Sequence, residues 1–198
     1  MGITKNEIVT ASIRILNRSG IDGLSMRTVA RELNIKAASL YNHIRGKAEL
    51  YGGIAEHICA QYVMPDESLG AREYLTAAAM AYRAILLSVR DSVAIFEGSL
   101  PDTPKRLELI MALTERLLQF GVSQKNLVTV SNLFNSYVLS FTADELRIKS
   151  RTPEELRAFA DKLGPGGGLA AATGRDFDEQ FLFGLRLLLS GIEATCGE

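Results

Sequence analysis

The 198-residue chain has no tryptophan and only two cysteines, two histidines and five prolines. Thiols as far apart as Cys59 and Cys196 make neither a disulfide framework nor a metal-ligand cluster, and they read as unpaired cysteines of a reducing cytosol. With His43 and His57 as the only imidazoles, no nucleophile, base and orienting group form a recognisable set. The Gly-rich segment at 164–174 lacks the Gly-Lys-Ser/Thr and the preceding strand of a phosphate loop. Neither a metal nor a cofactor is expected. The most apolar run, 181–192, is too short to span a bilayer and contains Arg186, so no membrane partner is expected. The N-terminus enters a polar, capped helix in place of an apolar leader, which predicts no export signal and a cytoplasmic location.

What is present is apolar content of 47%, enough for a substantial core, and a net charge of −1. The charge is uneven. Residues 1–50 carry eight Lys/Arg and four acids, while the remainder carries 14 basic and 19 acidic residues. A basic N-terminal segment on an acidic body is the asymmetry of a protein that meets phosphate with one part only.

No segment alternates strictly enough for a half-buried strand, and helical spacing recurs throughout, so the fold class is all-α. Thr4-Lys5-Asn6-Glu7 is a capping box for a first helix to about Arg18, with Gly20 ending it in the left-handed conformation. Ser25 opens a second helix to Leu33, where Leu24 can staple against Val29 and Asn34 supplies a left-handed turn. A third short helix follows, anchored inward by Leu40 and Ile44, with Tyr41 near the boundary of its outer face. Longer helices are predicted from Lys47 to about Tyr62, then over 71–89, 104–120, 126–149 and 176–195, with 164–174 a mobile loop. Residues 1–47 form one predicted domain and 48–198 a second.

The pair of short helices has the form of a helix-turn-helix, in which one helix enters the major groove while flanking cations and helix N-termini hold phosphates. Ser25 and Arg27 open the first of the pair. Lys36, Ala37, Ala38 and Ser39 open the second and would face bases, the alanines against thymine methyls and Lys36, Ser39 and Arg27 as polar readers. Tyr41, Asn42 and His43 follow outward, with Tyr41 offering its hydroxyl to phosphate. Lys47 sits at a helix N-terminus that already favours an anion.

These residues, in GIDGLSMRTVARELNI and ASLYNHIRGKAEL, resemble the TetR-type transcriptional regulators, and FLFGLRLLLSGIEA resembles the last helix of the tetracycline-repressor branch. The resemblance implies an all-α homodimer that binds a palindromic double-stranded DNA operator and is released by a small-molecule effector. The position resembling that branch's metal-holding histidine is Phe96, and its polar pocket positions fall on Ala78 and Leu113. A metal-independent, apolar or aromatic effector is therefore expected, with Tyr82, Leu86, Phe96, Leu113, Leu117, Phe134 and Tyr137 as pocket candidates. Taken alone, each of these reads better as core; the case for a pocket is collective. Leu127, Val130, Gly184, Leu188 and Gly191 recur at near-heptad spacing and suggest a dimer face of two helices per subunit, or else a packing seam within one chain. Two further readings remain: a dimeric DNA-binding regulator without an effector, and a helical small-molecule enzyme with a basic extension.

Overall fold

A computed structural model describes residues 2–163 and 176–196, and the described residues form ten α-helices and no strand. They are α1 (Lys5–Ser19), α2 (Met26–Glu32), α3 (Ala37–Tyr41), α4 (Lys47–Cys59), α5 (Ala71–Leu87), α6 (Ser92–Glu97), α7 (Pro104–Gln119), α8 (Leu127–Lys149), α9 (Pro153–Leu163) and α10 (Phe177–Thr195). The chain divides into two compact units, Met1–Ser68 with Ala77–Glu115, and Leu69–Thr76 with Arg116–Glu198. The predicted mobile loop at 164–174 lies outside the described residues.

In the first unit α1 packs on α2 and α4, α2 on α3, and α4 on α6. Ile8, Ile15, Leu16, Val29, Leu40, Leu50, Ile54 and Ile58 are almost fully buried there. The Thr4 capping box forms as expected, with the Glu7 amide donating to Thr4 Oγ1 and the Thr4 amide to Glu7 Oε2. Gly20 adopts φ 70° but ψ −175°, a region essentially closed to side chains. A Cβ at Gly20 would also stand 2.9 Å from Asp91 Oδ2. That carboxylate accepts the Ile21 amide at 2.7 Å, and the Arg90 amide donates to Asn17 Oδ1 at 3.0 Å, so the 88–91 turn holds the end of α1.

Several boundaries differ from the sequence reading. α4 ends at Cys59, short of Tyr62, and the Tyr62 hydroxyl donates instead to the Ala78 carbonyl at 3.3 Å. α5 stops at Leu87 because Ser88 bonds back to the Ile85 carbonyl and Asp91 turns the chain at φ 57°. α6, six residues long, and α9 were not anticipated. The signal for α9 is plain in retrospect: Thr152-Pro153-Glu154-Glu155 places Pro at the first helical position and closes a reciprocal pair between Thr152 and Glu155. Cys59 is buried and its thiol is pushed up to about 12 by that burial, which leaves it inert at neutral pH.

In the second unit α8 packs on α10 around Phe134, Val138, Phe181, Leu185 and Leu189. The Tyr137 ring stacks on Phe181 at 5.3 Å and its hydroxyl donates to the Phe181 carbonyl at 2.6 Å. This places Tyr137 against Gly184, where a Cβ would lie 2.5 Å from the hydroxyl and about 3 Å from the ring. Tyr137 is tethered and cannot swing clear. Gly184→Ala is therefore expected to destabilise the protein by about 1–3 kcal/mol through overpacking, seen as a lower denaturation midpoint in urea. Adding Tyr137→Phe should recover part of the loss, and a Gly184→Ala protein as stable as wild type would show that the contact is slack.

Candidate nucleic-acid interface

The exposed surface of the first unit between α2 and α4 is built from short helices and their caps. Ser25 caps α2 by accepting the Thr28 amide at 3.1 Å, and Thr28 Oγ1 accepts the Ser25 amide at 2.8 Å. Thr28 here takes the place that Glu or Gln usually fills in such a box, which is why the sequence signature passed over it. At the other end Asn34 sits at φ 53°. The Asn34 amide donates to Arg31 and the Ile35 amide to Ala30, closing a Schellman turn with Asn in the position usually taken by Gly.

α3 has only five residues, and its N-cap Lys36 makes no side-chain capping bond. Leu40 and Ile44 point inward at 0% and 2% exposure, as their spacing predicted. Lys36, Ala38, Tyr41 and Asn42 are exposed, whereas Ala37, Ser39 and His43 are half-buried. Tyr41, near the boundary of the outer face by its spacing, is 52% exposed. Asn42 after it keeps helical angles, φ −70° and ψ −19°, and the Ile44 amide still donates to the Leu40 carbonyl at 3.1 Å. Lys47 begins α4, with its ammonium 5.1 Å from the Tyr51 ring centroid. Ser25 and Arg27 are both exposed at the start of α2. The structure therefore gathers all ten predicted DNA-contact residues on the α2–α3–α4 segment.

The cations of this surface fall into two groups. Lys5 pairs with Glu49 at 2.7 Å, and Arg14 and Arg18 pair with Glu32 at 3.5 and 2.9 Å. The Arg18 guanidinium, with Arg14 beside it, holds the Glu32 carboxyl below the usual carboxylate range. Arg27, Arg31, Lys36, Arg45 and Lys47 are exposed and make no ion pair among the described residues. Sequence counting weighted all eight alike.

The pocket candidates divide between the units. In the first, Tyr82 meets Phe96 edge-on at 5.9 Å, Leu86 is fully buried, and Leu113 is half-buried. The Arg106 guanidinium lies 4.9 Å from the Phe96 centroid and donates to Ser99 Oγ and the Leu100 carbonyl. In the second, Leu117 and Phe134 are buried and Tyr137 is half-buried. Of the dimer candidates, Leu127, Val130 and Leu188 are half-buried, Gly184 faces Tyr137 of its own chain, and Gly191 faces open space. Leu187, which the sequence reading places with Leu188 between the two glycines, is exposed, and sequence reasoning missed the exposed apolar side chains Val128 and Leu133 on α8 and Phe183 on α10.

The family profile for bacterial regulatory proteins of the tetR family matches residues 8–54, and that for the tetracyclin repressor-like C-terminal domain matches residues 64–196. The chain belongs to the TetR family. It is a DNA-binding transcriptional regulator and not an enzyme, which removes the helical-enzyme reading. It is 25% identical to the class D tetracycline repressor protein of Escherichia coli over 196 residues, 96% of this chain and 89% of the relative. Among solved structures it is similar to BioQ of Mycobacterium smegmatis, with 32% identity, a TM-score of 0.79, and coverage of 97% of this chain and 98% of that one. BioQ with its natural double-stranded DNA operator matches at 29% identity and a TM-score of 0.77, over 97% and 99% of the two chains. A TetR variant of Acinetobacter baumannii in complex with minocycline matches at 25% identity and a TM-score of 0.78, over 99% and 96%. Among the described residues no helix of this regulator is long and apolar enough to cross a membrane.

The division of cations has a measurable consequence. Lys47→Ala or Arg27→Ala should each reduce the slope of log affinity against log salt by about one, whereas Arg14→Ala and Arg18→Ala should leave it unchanged. Equal slope losses in all four variants would show that the Glu32 pairs open on DNA.

Proposed function

We propose that this TetR-family regulator is a repressor that binds a palindromic operator as a homodimer and is released by a small, metal-independent, largely apolar or aromatic effector. In this reading residues 1–47 make the DNA contacts, and residues 48–198 carry effector binding and dimerisation. The observation that carries the DNA side is the exposed Tyr41–Asn42 step flanked by Lys36 and Lys47, four outward side chains on α3 and the chain on either side of it, anchored by buried Leu40 and Ile44. Ala38 and the edges of Ala37 and Ser39 are left to approach bases, Ser25 and Arg27 to approach phosphates from α2, and His43 to flank the site. The operator complex of BioQ supports the same use of this domain.

Dimerisation is supported by α10, where Phe183 and Leu187 are 55% and 61% exposed and Gly191 continues their stripe at i, i+4, i+8. Such a stripe, with Val128 and Leu133 exposed on α8, suits a four-helix contact between two copies, which Leu127, Val130 and Leu188 would flank. The effector reading is supported by Tyr82, Leu86 and Phe96, an apolar and aromatic group in which Phe96 offers a cation no lone pair. The minocycline complex of the A. baumannii variant supports ligand binding by a relative.

Selection from random duplexes should return a two-fold symmetric sequence, its half-sites one helical turn or a small multiple apart. Leu187→Glu should convert the protein to a monomer in sedimentation and weaken operator binding by on the order of a hundredfold, through loss of the second contact. A Leu187→Glu protein that stays dimeric removes α10 from the interface. For the effector, a panel of planar aromatic compounds should contain at least one that raises the melting temperature and lowers operator affinity equally with and without a chelator. Release that needs a divalent cation defeats the metal-independent reading, and no shift across the panel favours an effector-independent regulator.

A further inference from the structure

An acid stands in the middle of the basic surface. Glu49, in the first turn of α4 and part-buried, accepts the Arg45 amide on Oε2 at 2.8 Å and the Lys5 ammonium on Oε1 at 2.7 Å. One carboxylate thereby joins three pieces of chain: the N-terminus of α1, the turn between α3 and α4, and the start of α4. The turn carries Asn42 and His43 and delivers Lys47. Gly46, at the N-cap, offers no side-chain capping bond, and Glu49 reaches back past it to accept the amide of the residue before the cap. Gly46 itself is extended at φ 163°, and a Cβ there would meet nothing within 4 Å. Nothing in the backbone geometry at that position therefore locks the turn. Buried Ile44 holds the middle of the turn, and the Glu49 carboxylate holds its end at Arg45.

We infer that Glu49 is a positioning residue for operator recognition, holding the α3–α4 turn so that Asn42, His43 and Lys47 address the duplex together. The inference rests on the reading of this surface as the DNA contact. It opposes the simple electrostatic expectation. A carboxylate close to phosphates repels them, and its removal also frees Lys5, so charge alone predicts tighter binding without Glu49. The geometry predicts weaker binding, because a loosened turn loses several contacts at once. The Lys5 ammonium, with the Arg45 amide, holds the Glu49 carboxyl below the usual range, so it is ionised wherever binding is measured.

The experiment uses the full-length dimer and the duplex selected by the wild-type protein. Glu49→Ala should bind that duplex about tenfold more weakly than wild type, the scale of one charge-assisted hydrogen bond. Glu49→Gln keeps an acceptor for the Arg45 amide while dropping the charge, and should recover most of the loss. Lys5→Met removes only the ion pair and should bind as wild type does. Amide exchange gives a second readout free of DNA: Arg45 should exchange slowly in wild type and Glu49→Gln and quickly in Glu49→Ala. If Glu49→Ala changes the far-UV spectrum, Glu49→Asp replaces it, since it keeps the charge but shortens the reach. Glu49→Asp should then bind weakly, and wild-type affinity for it overturns the inference. So does a Glu49→Ala protein that binds as tightly as wild type, or one matched by Glu49→Gln. Failure of the wild-type protein to select any preferred duplex is a different result, and it defeats the DNA-contact reading itself.

Discussion

A five-residue helix cannot hold itself together in water, because nucleation costs more than one turn of hydrogen bonds returns. α3 is such a helix, and it carries Ala38 and Tyr41, exposed side chains of the proposed DNA contact. Its persistence depends on its packing against α2 and on Leu40 and Ile44, both almost fully buried. The two ends are fixed separately, by the Schellman turn at Asn34 before it and by the Glu49 carboxylate after it. α1 is in turn tied to the 88–91 turn through Ile21 and Asn17. The outer face of α3 is therefore referenced to the core of the first unit at three points, and little of its geometry is left to its own helical propensity.

The same economy governs charge. Glu32 and Glu49 are the acids nearest the basic surface, and each is engaged with cations of α1. These pairs are largely exposed and contribute little to stability. Their effect is to sort the basic residues, withdrawing Lys5, Arg14 and Arg18 and leaving Arg27, Arg31, Lys36, Arg45 and Lys47 open. A net charge for residues 1–50 already subtracts Glu32 and Glu49, so what the fold adds is location: it separates the cations that stand beside an acid from those that do not.

Legibility followed from how local each cause is. The Thr4 box, the Ser25 cap and the left-handed Asn34 are decided within four residues, and the sequence displayed them. Leu40 and Ile44 were readable because helical spacing survives across them. The same spacing puts Tyr41 near the edge of the outer face, but how far its ring stands into solvent, 52% exposed, is set by which neighbours cover it and not by the wheel. α6 was invisible for a related reason, being shorter than two turns and framed by Asp91 in an unusual conformation that its partner Ile21, seventy residues away, helps to hold. Glu49 escaped notice because its two partners are backbone and a distant lysine, and neither leaves a trace in periodicity.

The glycines of α10 show where spacing stops being informative. Gly184 and Gly191 are seven residues apart and so share a face to within about 20° of rotation. Yet Gly184 is filled by the Tyr137 ring of its own chain, while Gly191 opens onto free space. A small residue reports only that something can come close, not what does. In α8 the large residue that comes close is Tyr137, fixed there by its bond to the Phe181 carbonyl. The side chains left uncovered, Phe183 and Leu187, lie one position N-terminal to Gly184 and Leu188, a rotation of about 100° on a helix. Leu187 nevertheless stands only about 40° and Phe183 about 80° from Gly191 around the helix, so the face available to a second copy runs beside the glycines and takes in Gly191. An interface on α10 would consequently be built from large apolar side chains, in which burial of area and not close backbone approach provides the driving force.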